Sequence, residues 1–268
     1  MRTTEQDSNY AHLDQMSTEE LLHGINSEDR GVTEAVNKAI PQIQKLVDGI
    51  VERMRRGGRV FYTGAGTSGR LGIVDASEIP PTYGVDDTFI GIMAGGDGAI
   101  RHAVEGAEDR EDQGWKDLQA FGINNEDTLV GITASGGAPY VVGALQEARR
   151  NGLLTGAITN NAESPVTQVA EISMVANVGP EFVTGSTRMK SGTSAKLILN
   201  MISTAAMIRL GHVQGNKMVD MQLTNQKLVD RGTRMIMEGT GIKDYEKAKA
   251  LLLEHGQVRA AIDAYLNR

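Results

Sequence analysis

The sequence predicts an α/β fold: a doubly wound, five-stranded parallel sheet flanked by helices, with N-terminal helices before it and a small C-terminal helical module after it. Two observations carry that prediction. Five short β-like runs (59–63, 88–94, 128–134, 154–159 and 172–178) alternate with helix-like stretches, the pattern of parallel βαβ units. The residues that follow these runs are also unusual: GAGTSG, AGGDG, TASGGAP, TNNAES and VTGSTRMKSGTS. In such sheets the ligand sits beyond the strand C-terminal ends.

The elements follow in order. Ser17-Thr18-Glu19-Glu20 has the S-x-x-E spacing of a capping box, so a helix begins there. From Val32 to Met54 the apolar residues Ile40, Ile43, Leu46, Val47, Ile50 and Val51 recur with helical period, and Gly57-Gly58 ends the run. Helices are expected over 68–78, 99–108, 139–151, 164–170 and 188–210. The last is mostly apolar in its second half, as in a helix buried in a core or at a subunit contact, with Gly211 as its stop. KDYEKAKALLLEHG and QVRAAIDAYLNR read as two short terminal helices. The expected division is a helical segment over 1–57, the α/β sheet domain over 58–230 and a helical module over 231–268.

Composition narrows the function. The formal net charge is −7, which argues against an extended nucleic-acid footprint. There is no cysteine, so disulfides, thiolate zinc sites and thiol nucleophiles are excluded. Five scattered histidines without an H-x-x-x-H pair give a metal little support. No apolar leader and no run of about 18 apolar residues is found, so a cytoplasmic location without a membrane anchor is expected. Thirty-two glycines in 268 residues exceed the roughly 7% usual usage and imply many tight turns.

The stretch VFYTGAGTSGRLGIVDASE places Gly64, Gly66 and Gly69 in a G-x-G-x-x-G pattern between a strand and a helix. A dinucleotide site also needs an acid about 20 residues on, at the end of the next strand. Asp86 and Asp87 precede that strand and Asp97 lies too far along, so no nicotinamide or flavin cofactor is expected. Instead, small hydroxyl residues recur beside glycine at three strand ends. These are Gly66-Thr67-Ser68, Ser135-Gly136, and Ser186-Thr187 with the cations Arg188 and Lys190. Hydroxyls and backbone N–H groups at helix N-termini suit a phosphate monoester. Any one loop alone would be only a cap or turn.

Two acidic positions invite acid–base chemistry. Glu78 ends its helical pattern before Pro80-Pro81, where the macrodipole opposes a negative charge and burial would favour a protonated acid. AVEGAEDRED carries Glu105, Glu108, Asp109, Glu111 and Asp112. Glu105 and Glu108 would share a helix face, and spacing alone does not choose a base among these acids.

These motifs resemble the N-acetylmuramic acid 6-phosphate etherases of the sugar isomerase (SIS) superfamily, which also contains the glucokinase regulatory proteins. The likeness rests on residues 17–32, 64–85, 92–109 and 183–228, above all DASEIPPTYG and TGSTRMKSGT. It implies a cofactor-independent lyase acting on a sugar phosphate in cell-wall recycling, and a homodimer. By resemblance, Glu78 of the DASE motif is the general acid and Glu108 of the EGAED motif the general base. The chain departs from the family pattern at Gly137-Ala138, where a related etherase has an arginine, and in its TTEQDSNYAHLDQ approach. It is also slightly shorter than is typical. A non-catalytic sugar-phosphate sensor or a sugar-phosphate isomerase on the same fold are the alternatives.

Overall fold

The computed structural model describes residues 2–267. The chain packs as two units, Met1–Ser77 with Phe89–Ala206, and Glu78–Thr88 with Met207–Arg268.

In the first unit, α1 (Thr18–Asp29) starts on the expected capping box: Ser17 Oγ accepts from Glu20 N and the Glu20 carboxylate accepts from Ser17 N. Helix α2 (Val32–Met54) buries Val36, Ile43, Leu46, Val47, Ile50 and Val51 on one stripe. Ile40 shares that face by spacing but is exposed. Then follow β1 (Val60–Gly64) and α3 (Gly66–Ser77). The second unit inserts α4 (Ile79–Tyr83), after which β2 (Phe89–Met93), α5 (Gly98–Arg101), α6 (Gln113–Gln119), β3 (Thr128–Ile132) and α7 (Pro139–Arg150) belong to the first. Finally come β4 (Leu154–Thr159), α8 (Pro165–Val169), β5 (Ile172–Val175) and α9 (Lys190–Arg209).

The five strands are all parallel in the order β2-β1-β3-β4-β5. Successive strand residues point to opposite faces, and β1 shows the two layers. Phe61 enters a core with Leu118 of α6 and Tyr140, Val141, Ala144 and Leu145 of α7. Tyr62 faces α3, where a side chain at Gly72 would meet its Cβ at 2.9 Å. Helix α2 approaches β4 just as closely, with Gly49 against Leu154 and Gly156 against Leu46.

The second unit has its own core, including Val219, Met221, Ile236, Ala248, Leu252 and Val258. It contains a short hairpin, β6 (Val213–Gln214) with β7 (Lys217–Met218), and the helices α10 (Gln226–Thr240), α11 (Tyr245–His255) and α12 (Val258–Leu266). Among the described residues no helix is long and apolar enough to cross a membrane.

Two local expectations change. The expected helix over 99–108 stops at Arg101, and Gly106 takes φ +67°. Glu105 and Glu108 therefore lie in turns and do not share a helix face. Helix α3 ends at Ser77, ahead of Pro80-Pro81 as expected, but the chain then enters a further short helix: the prolines sit in the first turn of α4, where their missing N–H groups have no intrahelical partner to lose.

Candidate active site

Strand order reverses between β1 and β3, and the crevice at such a reversal is where open α/β sheets bind ligands. A cavity of about 390 Å³ lies there. The segment after β1 gives it Ala65, Gly66, Thr67 and Ser68, and the segment after β3 gives it Thr133, Ala134, Ser135 and Gly137 to Pro139. Gly185 and Thr187, ahead of α9, and Glu108 and Asp109 complete most of the wall. A second hollow of about 240 Å³ shares Ala65, Gly66 and Glu108, so Glu108 stands at the junction of two compartments.

The glycines of the first loop are explained by packing. A Cβ on Gly64 would lie 2.7 Å from Gly69 N, and one on Gly69 would lie 2.6 Å from Met93 Cβ. Gly66 opens α3 with φ +54°. These residues seat the helix N-terminus against the strand end, and its first N–H groups lack intrahelical partners. In the second loop Gly136 has φ +74°, and a Cβ there would strike Ser164 Oγ at 2.2 Å. Gly137 N donates to Ser135 Oγ (3.3 Å), and Gly136 N to Thr133 O (3.2 Å). Among the described residues the hydroxyls of Thr67, Ser68 and Thr187 make no hydrogen bond to a protein group.

Glu108 is held by its backbone. Tyr140 N, in the first turn of α7, donates to Glu108 O at 2.9 Å. Tyr140 is itself buried and donates its hydroxyl to Asp117 Oδ2 (2.7 Å). Burial first, and Asp117 second, push its phenol far above the usual range. The Glu108 carboxylate is left exposed at the cavity edge.

The sequence-derived site residues thus divide. Gly66, Thr67, Ser68, Glu108, Ser135 and Thr187 line one cavity. Gly136 is buried and Ser186 half-buried, and neither is part of its lining. Arg188 is exposed and does not line it. Lys190 is buried, with its ammonium paired to Glu28 and its backbone N–H donating to Glu181 (2.8 Å). Ser191 N donates to the other oxygen of Glu181 (2.9 Å), so that buried carboxylate caps α9. Glu78 lies in the second unit, exposed, at the residue preceding α4.

Three residues near the cavity escape sequence reasoning. Arg2 and Glu5 line it. Asn161 is buried, donates to Ala134 O (2.9 Å) and Thr4 Oγ1 (3.2 Å), and accepts from Thr3 N (2.6 Å). The only signal was the asparagine pair after β4.

Residues 42–149 match the model of the glucokinase regulatory protein N-terminal SIS domain. The chain is 60% identical over 266 residues to the N-acetylmuramic acid 6-phosphate etherase of Bacteroides thetaiotaomicron, covering 99% of this chain and 96% of that one. It is 58% identical over 264 residues to the etherase of Porphyromonas gingivalis, covering 98% and 96%. Among solved structures, phosphoheptose isomerase from Neisseria gonorrhoeae is similar with a TM-score of 0.52 and 16% identity, over 71% of this chain and 98% of that one. That last likeness is one of fold.

Proposed function

The chain belongs to the N-acetylmuramic acid 6-phosphate etherase family, and from that premise we infer that it cleaves the D-lactyl ether of N-acetylmuramate 6-phosphate. The products are N-acetylglucosamine 6-phosphate and D-lactate, and the setting is the recycling of cell-wall amino sugar. The observation that carries the reading is the placement of Glu108 beside a hydroxyl-lined cavity at the reversal of strand order.

The chemistry follows from the substrate. In the open-chain sugar the C2 proton is acidified by the C1 aldehyde, and the ether oxygen on C3 is the β leaving group. Glu108 takes the C2 proton, and the C2–C3 double bond forms as the C3–O bond breaks. Glu78, assigned by its DASE motif, gives a proton to the departing lactate oxygen. Water then adds across the double bond, hydroxyl to C3 and proton to C2. Two carboxylates in these roles supply general acid–base catalysis. Thr67, Ser68, Ser135 and Thr187, with the N-terminus of α3, receive the phosphate. The cytoplasm is the compartment this reading assigns, and a homodimer the assembly. Exposed Val74 on α3 and Met201 on α9 are apolar surface that a second copy would cover.

The test is incubation of the purified protein with N-acetylmuramate 6-phosphate and an enzymatic assay for D-lactate. Stoichiometric lactate and N-acetylglucosamine 6-phosphate are expected. Absence of lactate from folded protein rejects the lyase in favour of a sugar-phosphate binder or isomerase.

A further inference from the structure

We propose that Arg2 is the cation that holds the substrate's phosphate, and that position 137 is glycine so that the Arg2 guanidinium can lie over the second hydroxyl loop. This rests on the sugar-phosphate reading above and extends it to a residue outside the motifs that carry the family likeness.

The charges of the cavity make the first argument. Among the described residues its lining contains Glu5, Glu108 and Asp109 but a single cationic side chain, Arg2. A phosphate monoester brings up to two further negative charges, and hydroxyls and amides alone would have to hold it among three carboxylates. The two cations that the TGSTRMKSGT motif offered are not available: Arg188 does not line the cavity and Lys190 is buried against Glu28. Guanidinium-to-phosphate hydrogen bonds are charge-assisted and frequently bidentate, which makes arginine suited to the task.

The second argument is placement. The segment bearing Arg2 is docked, since Thr3 N and Thr4 Oγ1 both bond the side chain of buried Asn161. Thr4 is fully buried. Further along, Ser8 N donates to Thr184 Oγ1 (2.9 Å) and Ser8 Oγ to Phe182 O (2.7 Å). Asn161 also donates to Ala134 O, next to Ser135, so the same side chain orients both the segment and the hydroxyl loop. Among the described residues no carboxylate pairs with the Arg2 guanidinium, which leaves its donors for a ligand.

The third argument is Gly137. Its φ is not in the left-handed region, unlike that of its neighbour Gly136, so the backbone does not require glycine there. What occupies the space is Arg2: a Cβ on Gly137 would lie 2.5 Å from one guanidinium nitrogen and 2.8 Å from the guanidinium carbon. Any side chain at 137 displaces the end of Arg2 without disturbing the main chain.

The experiment uses the full chain with any affinity tag at the C-terminus, and compares wild type with Arg2→Ala, Arg2→Lys and Gly137→Ala. Lactate release gives kcat and KM. Calorimetric titration with N-acetylglucosamine 6-phosphate gives a Kd that does not depend on turnover and involves no lactyl carboxylate. Arg2→Ala should raise both KM and this Kd roughly 10- to 100-fold, the range for a hydrogen bond to a charged group, with kcat nearly unchanged. Lysine should restore part of the affinity. Gly137→Ala, with Arg2 intact, should weaken the same Kd by a smaller factor and leave the melting temperature alone. An unchanged Kd in Arg2→Ala overturns the proposal. So does a rise in KM without a rise in Kd, which would put the guanidinium on the lactyl carboxylate. If wild type binds the sugar phosphate in an Arg2-dependent way but releases no lactate, the etherase reading fails and this one stands.

Discussion

The two edges of the sheet are both polar, but they use polarity differently. At the N-terminal edge the charges of Arg53, Arg59 and Asp127 have protein partners. Buried Asp127, one residue before β3, accepts from Arg59 N (2.8 Å), from the Arg59 guanidinium (2.9 Å) and from Asn124 N (2.9 Å). Arg59 also donates to Phe121 O and Gly122 O, and Arg53 bonds the carbonyls of Asn125 and Gly152. At the C-terminal edge the hydroxyls of Thr67, Ser68 and Thr187 have no such partners among the described residues, and they face a cavity. Those three hydroxyls are half-buried and open to a ligand or to water, whereas the buried Asp127 carboxylate is paired at both oxygens, as buried polar groups ordinarily are. On the proposed reading, the paired charges of the first edge contribute stability and the cavity hydroxyls of the second contribute binding.

If that division holds, substitutions at the two edges separate activity from stability. The largest effect on activity is expected from Glu108→Gln, which removes the proposed base and should lower kcat by about 10³-fold or more. Because Glu108 is exposed and held through its backbone carbonyl, its melting temperature should stay within roughly 2 °C of wild type, as for other exposed sites. In deuterated buffer this variant should also lose exchange of the substrate C2 proton, whereas Glu78→Gln should lose lactate release and keep the exchange. Full exchange in Glu108→Gln would show the base to be misassigned.

Asp127→Ala should do the reverse. It leaves the Arg59 guanidinium and two backbone N–H groups without their acceptor, at a cost of about 3 kcal/mol. Urea unfolding should show that loss while kcat of the folded protein is unchanged; a lost kcat with a normal midpoint would refute the division. Smaller still is Ser135→Ala. Its hydroxyl faces the cavity and receives only a 3.3 Å bond from Gly137 N. A drop in kcat/KM of roughly tenfold is expected from a lost hydrogen bond to a charged group, carried by KM. An unaltered KM would remove Ser135 from the phosphate site.

How much of this was legible depended on the range of the interaction responsible. Helix α2 and strand β4 have the bounds their local patterns predict, 32–54 and 154–159, because burial periodicity and β-branched runs are properties of a few adjacent residues. Helix α6 was not foreseen: it lies directly after the charged run AVEGAEDRED and is only Gln113–Gln119. The same run hid the turns around Gly106, where a positive φ overrides the helical spacing of Glu105 and Glu108. Within the site, hydroxyls beside glycine at strand ends pointed to Thr67, Ser68, Ser135 and Thr187, since topology alone brings strand ends together. Arg2 was invisible because its position depends on a Thr3–Asn161 bond across 158 residues. Lys190 misled for a similar reason, as its partner Glu28 lies 162 residues away.

The DASE motif contains its own version of the contrast, and it yields the prediction with the smallest expected effect. Glu78 is exposed, but Asp75 three residues earlier is buried in the first unit. Asn200 Nδ2 (2.7 Å) and Ser203 Oγ (3.3 Å), both on α9, donate to Asp75 Oδ1. Burial raises the carboxyl above its ordinary value, and the bonds from Asn200 and Ser203 offset only part of the rise. The fully buried Tyr62 phenol beside it is likewise pushed well up, by burial first and by the Asp75 charge second. The native state therefore holds the Asp75 proton to higher pH than the unfolded chain does. Linkage then gives this residue a stability contribution that is greatest below the ordinary carboxylate pKa of about 3.9. It declines as pH rises from there through the elevated folded value. Asp75→Asn keeps an acceptor for Asn200 and Ser203 and removes the titration. Its urea midpoint should accordingly gain on wild type as pH is raised from 4 to 7, with kcat/KM within about twofold because Asp75 lines neither hollow. Parallel pH dependences for the two proteins would mean that folding does not raise the Asp75 carboxyl, and that the bonds from Asn200 and Ser203 fully offset its burial.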